Sequence, residues 1–408
     1  MSRRVKRILF VAEAVTLAQV VRLVTLARAL PPEQYELHFA SARFDPVVFQ
    51  GTALRQHPLH SRSPEQVERA IAWGSRIYSR RVLGRYVDDD LRLLDRVQPD
   101  LVVGDLRWSL LVSAPLRRVP HAALVNAYWS PFAVRERFPL PDHPIVKLLG
   151  EEVAAEYFPR ALPFVFRHFA RPLDALRSRH GLPPLGGLLE LLTAGDLTLY
   201  ADPPELVPTR GLPASHHFLG PVQWAPQVSL PPWWDALGGR PCVYVTLGSS
   251  GNLRALPHIV SALAELPVDV MVATAGRVRL QRPPANVFVA DYLPGDLAAR
   301  RASVVVCNGG SSTGYQALAE GRPVVGLPWN LDQYLAMSAM EAAGAGSLLR
   351  ATSATPAQVR ERAVAALEGA HAPGVRRLQQ AMHTHDSAAR FRALVAHALS
   401  PPSSRSSA

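Results

Sequence analysis

Short apolar runs alternate with helix-like patterns along most of the chain, which predicts parallel sheets with crossover helices. In the amino-terminal half we expect strands at residues 8–12, 35–40, 101–103 and 122–126. The helices predicted around them cover residues 17–30, 65–97 and 109–116. Because strands and helices follow one another in turn, this half is predicted to form a doubly wound, Rossmann-like domain.

The same alternation resumes behind a proline-rich stretch, which favours a link between two domains. The strands predicted there are residues 242–247, 268–273, 287–290, 304–307, 324–327 and 347–350. Helices fill the chain from a Thr355-Pro356 cap to about residue 399, and we expect the last of them to pack back on the first domain. The predicted organisation is a domain at 1–217, a linker at 218–236, a second domain at 237–399 and a disordered tail at 400–408.

Residues 128–169 have no clean hydrophobic period and hold nine of the chain's 30 aromatic side chains, where an even share would be about three. An ordinary helical insertion with an aromatic core would have this composition. One wall of a pocket for an apolar ligand would have it too, because such pockets are lined by aromatic and aliphatic side chains. The sequence is compatible with both interpretations.

Composition narrows the class of protein. With 408 residues, 48% of them hydrophobic and 19% charged, the chain can bury the cores of two domains, and this composition argues against a largely disordered chain. Two cysteines, Cys242 and Cys307, form neither a disulfide framework nor a metal-ligand spacing, so we expect a reducing, cytoplasmic location. No run approaches the roughly 20 apolar residues of a membrane span. The apolar stretch 8–12 is too short for a signal peptide, so we expect at most peripheral membrane contact.

The net charge of +11 does not predict a nucleic-acid partner. Only Lys6 and Lys147 are lysines among the 44 basic residues, and the arginines are spread along the whole chain. A phosphate-binding stripe would be clustered and would normally use both cations. The skew is typical of a GC-rich genome.

The segment from Cys307 to Gln316 is the clearest candidate site. A predicted buried strand ends there, two glycines allow a tight turn, three hydroxyl residues follow, and a helix begins. Backbone N–H groups and the positive end of the helix dipole then face one point, which favours an anion. Alone, such a turn is equally typical of an ordinary strand-to-helix junction.

Two further strand ends strengthen this interpretation. The stretch Gly248-Ser249-Ser250-Gly251 offers a second approach of small residues to the same edge of the sheet. Asp332 and Gln333 follow the next strand and could bind the hydroxyls of a polyol such as a sugar. Ligands of open parallel sheets bind at such carboxyl ends.

These segments carry a resemblance to a known family. In order they are Asp291-Tyr292-Leu293-Pro294, Asn308-Gly309-Gly310-Ser311-Ser312-Thr313, Ala319-Glu320-Gly321-Arg322-Pro323, Pro328 and Asp332-Gln333. They resemble the nucleotide-sugar signature of GT-B glycosyltransferases of the UDP-glycosyltransferase superfamily, which includes the bacterial macrolide and antibiotic enzymes. The likeness covers most of residues 218–345 and is fainter before them. It implies an α/β GT-B fold with two facing Rossmann-like domains and a cleft between them.

The resemblance implies a role for each matching residue. Tyr292 and Leu293 would lie beside the nucleotide base, and Asp332 with Gln333 would bind the sugar hydroxyls. Gln316 stands where the family has a ribose-binding glutamate. The residues that would hold the pyrophosphate are Ser249, Asn308 (in place of the family's histidine), Gly309, Gly310, Ser311, Ser312 and Thr313.

The catalytic positions depart from the family pattern. The family's base is a histidine in the loop after the first strand, and here Gln19 stands at that position. Glutamine accepts no proton near neutral pH. The family's partner aspartate corresponds to Asp105, which we expect to act as base, with a helix cap as its alternative role. Glu13, at the end of the first strand, is a further candidate carboxylate.

The sequence therefore predicts transfer of a hexose, with inversion, from a UDP- or TDP-sugar to a hydrophobic natural-product or lipid-like acceptor, without a metal or cofactor. A homologue that has lost its base and serves as a binding partner is one alternative, motivated by Gln19. A GT-B UDP-sugar 2-epimerase is another, but it would need charged groups around the sugar carbon.

Two other patterns are set aside. Asp88-Asp89-Asp90 resembles the metal motif of a different glycosyltransferase fold, but it lies in a predicted helix, where we expect a solvated face. We also expect four histidines to be surface loop residues: His57, His60, His216 and His217.

Overall fold

The computed structural model describes residues 4–140, 142, 144–248, 251 and 253–400. Within these ranges the chain forms two compact units. The first comprises residues 4–135, 156–222 and 385–400, and the second comprises residues 136–155 and 223–384. The part of the predicted tail at 401–408 lies outside the described residues.

Both units are assembled from separate stretches of chain, whereas the predicted domains are continuous. The last helix joins the first unit, because Phe391 is buried with its ring 6.2 Å from that of Phe10. Residues 136–155 join the second unit, where Arg350 Nη2 donates to Asp142 Oδ1 at 2.7 Å and Arg350 Nη1 donates to the Leu140 carbonyl at 3.1 Å. Contacts between residues far apart in sequence thus decide the membership of both segments.

The first unit contains a parallel sheet with seven strands in its described residues, in the order β3-β2-β1-β4-β5-β6-β7. The strands are β1 (Lys6–Ala12), β2 (Tyr35–Ser41), β3 (Arg55–Pro58), β4 (Leu101–Asp105), β5 (His121–Val125), β6 (Leu197–Tyr200) and β7 (His216–Phe218). The helices that precede the second sheet in the chain are α1 (Leu17–Arg28), α2 (Pro46–Phe49), α3 (Pro64–Ala72), α4 (Arg80–Val97), α5 (Leu110–Arg117), α6 (Pro144–Leu149), α7 (Glu151–Arg179) and α8 (Leu188–Leu192).

The second unit contains a parallel sheet whose described residues form six strands, in the order β10-β9-β8-β11-β12-β13. The strands are β8 (Cys242–Thr246), β9 (Asp269–Ala273), β10 (Val287–Ala290), β11 (Val304–Cys307), β12 (Val324–Gly326) and β13 (Gly346–Leu348). The remaining helices are α9 (Leu256–Ala264), α10 (Gly295–Arg301), α11 (Ser311–Ala319), α12 (Leu331–Ala342), α13 (Pro356–Leu367), α14 (Ala372–Thr384) and α15 (Ser387–Ala398), the last of which belongs to the first unit.

Runs of β-branched residues explain the central strands. Val304, Val305 and Val306 of β11 are fully buried, as strands covered on both faces require. Because neighbouring strands are parallel, the chain must cross over the sheet between consecutive strands, and most of these connections contain a helix. The predicted strands recur within about two residues of their expected bounds.

Three strands escaped the sequence analysis, and two of them contain the histidines that it placed in surface loops. His57 lies in β3, and His216 and His217 lie in β7. His216 is partly buried, with its Nδ1 2.7 Å from Tyr200 Oη. His60 alone of the four is exposed in a loop as expected. Short edge strands rich in polar residues lack the apolar run that reveals a central strand.

The second part of the aromatic segment, from residue 151 on, folds as the long helix α7, in which Pro159, Pro163 and Pro172 are embedded. Pro172 has no N–H to donate to the carbonyl of His168 one turn earlier. Arg76 supplies the missing donor, because its Nε donates to the His168 carbonyl at 3.2 Å. Over the described residues, no helix combines the length and the hydropathy that crossing a bilayer requires.

Candidate functional site

Three central strands of the second sheet end at the same edge. Cys307, the last residue of β11, pairs with Thr246 of β8 on one side and with Gly326 of β12 on the other. The loops after these strands therefore lie side by side. They contain most of the residues that the sequence predicted to bind a nucleotide sugar.

The turn after β11 requires glycine. Gly309 has φ +74°, a left-handed conformation that other residues rarely adopt. A Cβ atom at Gly309 would also lie 3.2 Å from Cβ of Met337. Asn308 is buried, and its Oδ1 accepts a hydrogen bond from the Gly310 N–H at 3.1 Å. The buried asparagine thus fixes the turn that leads into α11.

Among the described residues, no side chain caps the amino terminus of α11. Its N-cap residue is Gly310, and the first backbone bond of the helix runs from Gly314 N to the Gly310 carbonyl at 3.1 Å. The N–H groups of residues 311–313 have no helical carbonyl to which they can donate. Together with the helix dipole they form a site suited to an anionic group.

The loop after β8 approaches the same turn. Gly248 has φ +60°, and a Cβ atom placed on it would be 3.5 Å from Asn308 Nδ2. Its N–H donates to Thr246 Oγ1 at 3.3 Å. The predicted phosphate ligand Ser249 lies outside the described residues.

The two residues predicted to bind sugar differ in exposure and in hydrogen bonding. Gln333 is buried, and its Oε1 accepts from the Trp329 N–H at 3.2 Å, while Asn330 Oδ1 accepts from the Gln333 N–H at 3.1 Å. These reciprocal bonds cap α12, so the side-chain oxygen of Gln333 is engaged in the cap. Asp332 is exposed in the first turn of the same helix.

The residues predicted to contact the base and ribose also differ in exposure. The ring of Tyr292 is exposed (59%), and its hydroxyl donates to the Ala275 carbonyl at 3.2 Å. Leu293 beside it is buried. Gln316 donates from Nε2 to the Trp224 carbonyl at 2.8 Å, which ties the chain that enters the second unit to α11. Tyr292 thus presents a ring surface that a planar base could stack on.

In the first unit, Gln19 caps a helix. Its Oε1 accepts from the N–H of Val15 at 2.9 Å and from the N–H of Thr16, the N-cap residue of α1, at 3.2 Å. Gln19 is the N3 residue of a capping box, and its side chain is buried. The residue that the sequence analysis placed at the position of the family's base thus stabilises the start of α1.

Asp105, the predicted base, is fully buried at the end of β4 and is paired with Arg22. Arg22 Nε donates to its Oδ2 at 3.0 Å, and Arg22 Nη2 donates to its Oδ1 at 2.9 Å. Arg22 Nη1 also donates to Asn126 Oδ1 at 2.6 Å, and Asn126 Nδ2 donates to Asp202 Oδ1 at 2.9 Å. In this structure Asp105 is an ion-pair partner rather than an open proton acceptor.

Glu13 belongs to a second buried cluster. Its Oε1 accepts from the hydroxyls of Tyr78 at 2.9 Å and Tyr86 at 3.0 Å, and Arg107 Nη1 donates to its Oε2 at 3.1 Å. Burial raises the pKa of Glu13, although the Arg107 guanidinium opposes the shift. Arg107 Nη2 donates to Asp90 Oδ1 at 2.9 Å. The expected solvated face of Asp88–Asp90 is therefore wrong for Asp90, which is buried because Arg107 neutralises it.

Sequence reasoning missed the arginines of both clusters. Arg22 places a charge within the apolar run Val20-Val21 and Leu23-Val24. A charge inside such a run is a signal for a buried ion pair that sequence reasoning could have used. Arg107 follows Asp105 by two residues and has no such signal. Buried arginines require carboxylate partners, and here these lie far away in sequence: Asp105 is 83 residues from Arg22, and Arg107 is 94 residues from Glu13 and 17 from Asp90.

Comparison with known proteins agrees with this geometry. The chain is 52% identical over 350 residues to the PGL/p-HBAD biosynthesis glycosyltransferase of Mycobacterium tuberculosis (strain ATCC 25177 / H37Ra). The alignment covers 85% of this chain and 81% of that protein. It is 52% identical over 352 residues to the PGL/p-HBAD biosynthesis rhamnosyltransferase of Mycobacterium bovis (strain BCG / Pasteur 1173P2), covering 86% and 78%. No protein-family model matches the chain.

Solved structures show the same fold. The calicheamicin glycosyltransferase CalG4 is similar with a TM-score of 0.70 at 19% identity, over 97% of this chain and 99% of that chain. The spinosyn rhamnosyltransferase SpnG complexed with thymidine diphosphate is similar with a TM-score of 0.67 at 20% identity, over 96% and 100%. These likenesses confirm the predicted GT-B fold class. Identity of 52% across most of both sequences shows that this chain belongs to the family of the PGL/p-HBAD biosynthesis glycosyltransferases, and that it is a glycosyltransferase with the GT-B fold.

Proposed function

We propose that this glycosyltransferase moves a hexose from a UDP- or TDP-sugar to a hydroxyl of a hydrophobic acceptor, with inversion at the anomeric carbon. The start of α11, whose N-cap residue is Gly310 and which follows the Asn308-Gly309-Gly310 turn, is the observation that carries the proposal. One similar structure holds thymidine diphosphate, and one relative is a rhamnosyltransferase, which supports a diphosphate sugar as donor.

The proposed donor site lies at the shared strand edge of the second unit. The N–H groups of residues 311–313, with Asn308 and Ser249, would hold the pyrophosphate, and Tyr292 would stack on the base. Asp332 would accept hydrogen bonds from sugar hydroxyls. Because the N–H groups and the helix dipole would offset the charge of the phosphates, the proposed donor site needs no metal ion.

The proposed acceptor carries an easily ionised hydroxyl, such as a phenol. The three predicted catalytic side chains are all engaged: Gln19 in a cap, Glu13 by three donors and Asp105 by Arg22. A phenol with a pKa of about 10 releases its proton far more readily than a hydroxyl like that of water, near 15.7. We therefore propose Asp105 as a positioning residue that acts through Arg22.

The purified enzyme tests this proposal directly. It is incubated with UDP- and TDP-hexoses and a panel of apolar phenols and matched aliphatic alcohols, in buffer containing a chelator. We expect a glycosylated phenol, detected by mass spectrometry, with the inverted anomer seen by NMR. Transfer only after a divalent metal is added would overturn the metal-free donor site. Equal rates with alcohols and phenols would overturn the acceptor class.

A further inference from the structure

One face of α7 presents aromatic and cationic side chains to solvent. Tyr157 is 54% exposed and Phe164 is 70% exposed, and the three arginines Arg160, Arg167 and Arg171 are exposed as well. Their spacing of three or four residues places all five on one narrow stripe of the helix. We call these five residues the α7 stripe.

The opposite face of α7 is packed against the first unit. The buried positions recur at Leu162, Phe166, Ala170 and Leu173. The helix therefore has its own apolar contacts without the α7 stripe. Large aromatic side chains that stay exposed on the opposite face are typical of a surface that binds a protein, a membrane or a ligand.

The cations of the α7 stripe lie over its rings. The guanidinium carbon of Arg160 is 5.6 Å from the ring centre of Tyr157, and that of Arg167 is 5.8 Å from the ring centre of Phe164. Aromatic rings and arginines side by side on an exposed surface can contact the apolar boundary and the charged headgroups of a membrane at the same time. The rings can enter the acyl boundary while the long arginine side chains reach the headgroups.

A neighbouring loop adds another exposed aromatic residue to this part of the first unit. Arg76 donates to the His168 carbonyl of α7, so the loop after α3 is tied to the helix. Trp73, which is 73% exposed, lies three residues before Arg76, at most about 10 Å along the chain. Tryptophan is enriched where a protein surface meets the membrane interface.

Charge indicates what covers the α7 stripe. It contains three arginines and no carboxylate, with Glu156 at its edge, in a chain of net charge +11. Such a surface complements anionic lipid headgroups. We propose that the α7 stripe docks the enzyme peripherally on an anionic bilayer. Docking does not depend on the proposed function, whereas delivery of a lipid-like acceptor to the enzyme rests on it.

Vesicle flotation tests the docking without turnover. The probes are vesicles of phosphatidylcholine alone and of phosphatidylcholine mixed with phosphatidylglycerol. We expect binding to the anionic vesicles that weakens with added salt, because the attraction of surface charges is screened. Arg160→Gln and Arg167→Gln should each weaken it roughly fivefold. The matched control Arg376→Gln, at an exposed arginine of α14 in the second unit, should bind like the parent.

The aromatic residues have their own test. The double variant Tyr157→Ser/Phe164→Ser should bind anionic vesicles at least tenfold more weakly, since two rings leave the acyl boundary. Val47→Ser, which changes a residue of α2 with 47% exposure, is the control and should change nothing. Thermal melts show that each variant is folded.

Three outcomes would overturn the proposal. The parent enzyme could float no better with anionic than with neutral vesicles. Variants of the α7 stripe could bind anionic vesicles like the controls. The serine double variant could lose transfer to a water-soluble acceptor, in the absence of vesicles, by as much as it loses vesicle binding, which would assign the rings to the acceptor site. If neither the parent enzyme nor any variant transferred a sugar, the proposed function would be refuted, and the flotation result would still stand.

Discussion

Asp105→Asn should lower the stability of the first unit strongly and should lower kcat only slightly. The substitution keeps the size of the side chain but removes the charge that faces Arg22. The pair is deeply buried, with 0% of the Asp105 side chain and 10% of the Arg22 side chain exposed. Arg22 would then keep its positive charge without the carboxylate that binds it through two nitrogens.

The magnitude follows from this burial. Removal of one partner from a buried ion pair costs about 3–5 kcal/mol, because the other charge is left uncompensated. In a unit of this size each kcal/mol lowers Tm by about 2–4 °C, so we expect a fall of roughly 6–20 °C. The matched control is Asp95→Asn, which breaks an exposed pair with Arg117 (2.5 Å) and should leave Tm almost unchanged, because solvent screens the pair.

A double-mutant cycle shows whether the loss belongs to the pair. Arg22→Gln combined with Asp105→Asn leaves two neutral amides, which can hydrogen-bond to each other and to Asn126. The double variant should therefore be more stable than Asp105→Asn alone. The free energies of unfolding of parent, single and double variants, measured by denaturant titration, give the coupling energy directly.

Activity supplies the decisive comparison. At a temperature where Asp105→Asn is fully folded, its kcat with a phenol acceptor should fall less than about tenfold. A general base contributes roughly 10²–10⁴-fold to the rate. An unchanged Tm together with a kcat lowered by that factor would refute our reasoning, since Asp105 would then be the base that the sequence predicted.

Three further predictions concern single side chains. Asp332→Ala should weaken binding of the sugar nucleotide about ten- to a hundredfold, measured by calorimetry, and should leave nucleotide binding unchanged. The control is Asp296→Ala, which changes an exposed aspartate in the first turn of α10. Equal losses of affinity for both ligands would remove Asp332 from the sugar site. Gln19→Ala should lower stability by about 1 kcal/mol through loss of the cap, whereas Gln19→Glu keeps an acceptor at N3 and should not; equal stability of the two variants would contradict the capping role. Burial lowers the pKa of His121 to about 4, so the folded protein resists a proton that the unfolded chain binds below about pH 6.5. Stability should therefore fall by up to about 3 kcal/mol between pH 6.5 and 4, and His121→Phe should flatten this part of the curve if the reasoning holds.

The sequence by itself determined the framework and the donor-site turn. Apolar runs such as 304–307 could be recognised as central strands because burial on both faces selects valine and isoleucine there. The Asn308-Gly309-Gly310 turn could be found as well, since a left-handed residue between a strand and a helix calls for glycine. These signals are local, so a reading of neighbouring residues is enough to detect them.

The structure gives two of the predicted site residues a further, local role. Gln19 and Gln333 were predicted as functional side chains, but both stand at N3 of a helix whose start they cap. Thr16 lies three residues before Gln19, and Asn330 lies three residues before Gln333. That spacing is a capping signal visible in the sequence. The capping role of both residues could therefore have been predicted from local sequence, beside the roles that the resemblance implies.

Only the tertiary structure decided the pairing of the buried charges. Arg22 meets Asp105 and Arg107 meets Glu13 because β1 and β4 are neighbours in the sheet, which brings residues 83 and 94 positions apart into contact. The same holds for Phe391 of α15, which joins the first unit through a contact with Phe10. A charged residue's own neighbours in the chain do not reveal which partner will neutralise it. Whether a carboxylate is an open base or half of an ion pair is therefore set by the packing of distant elements.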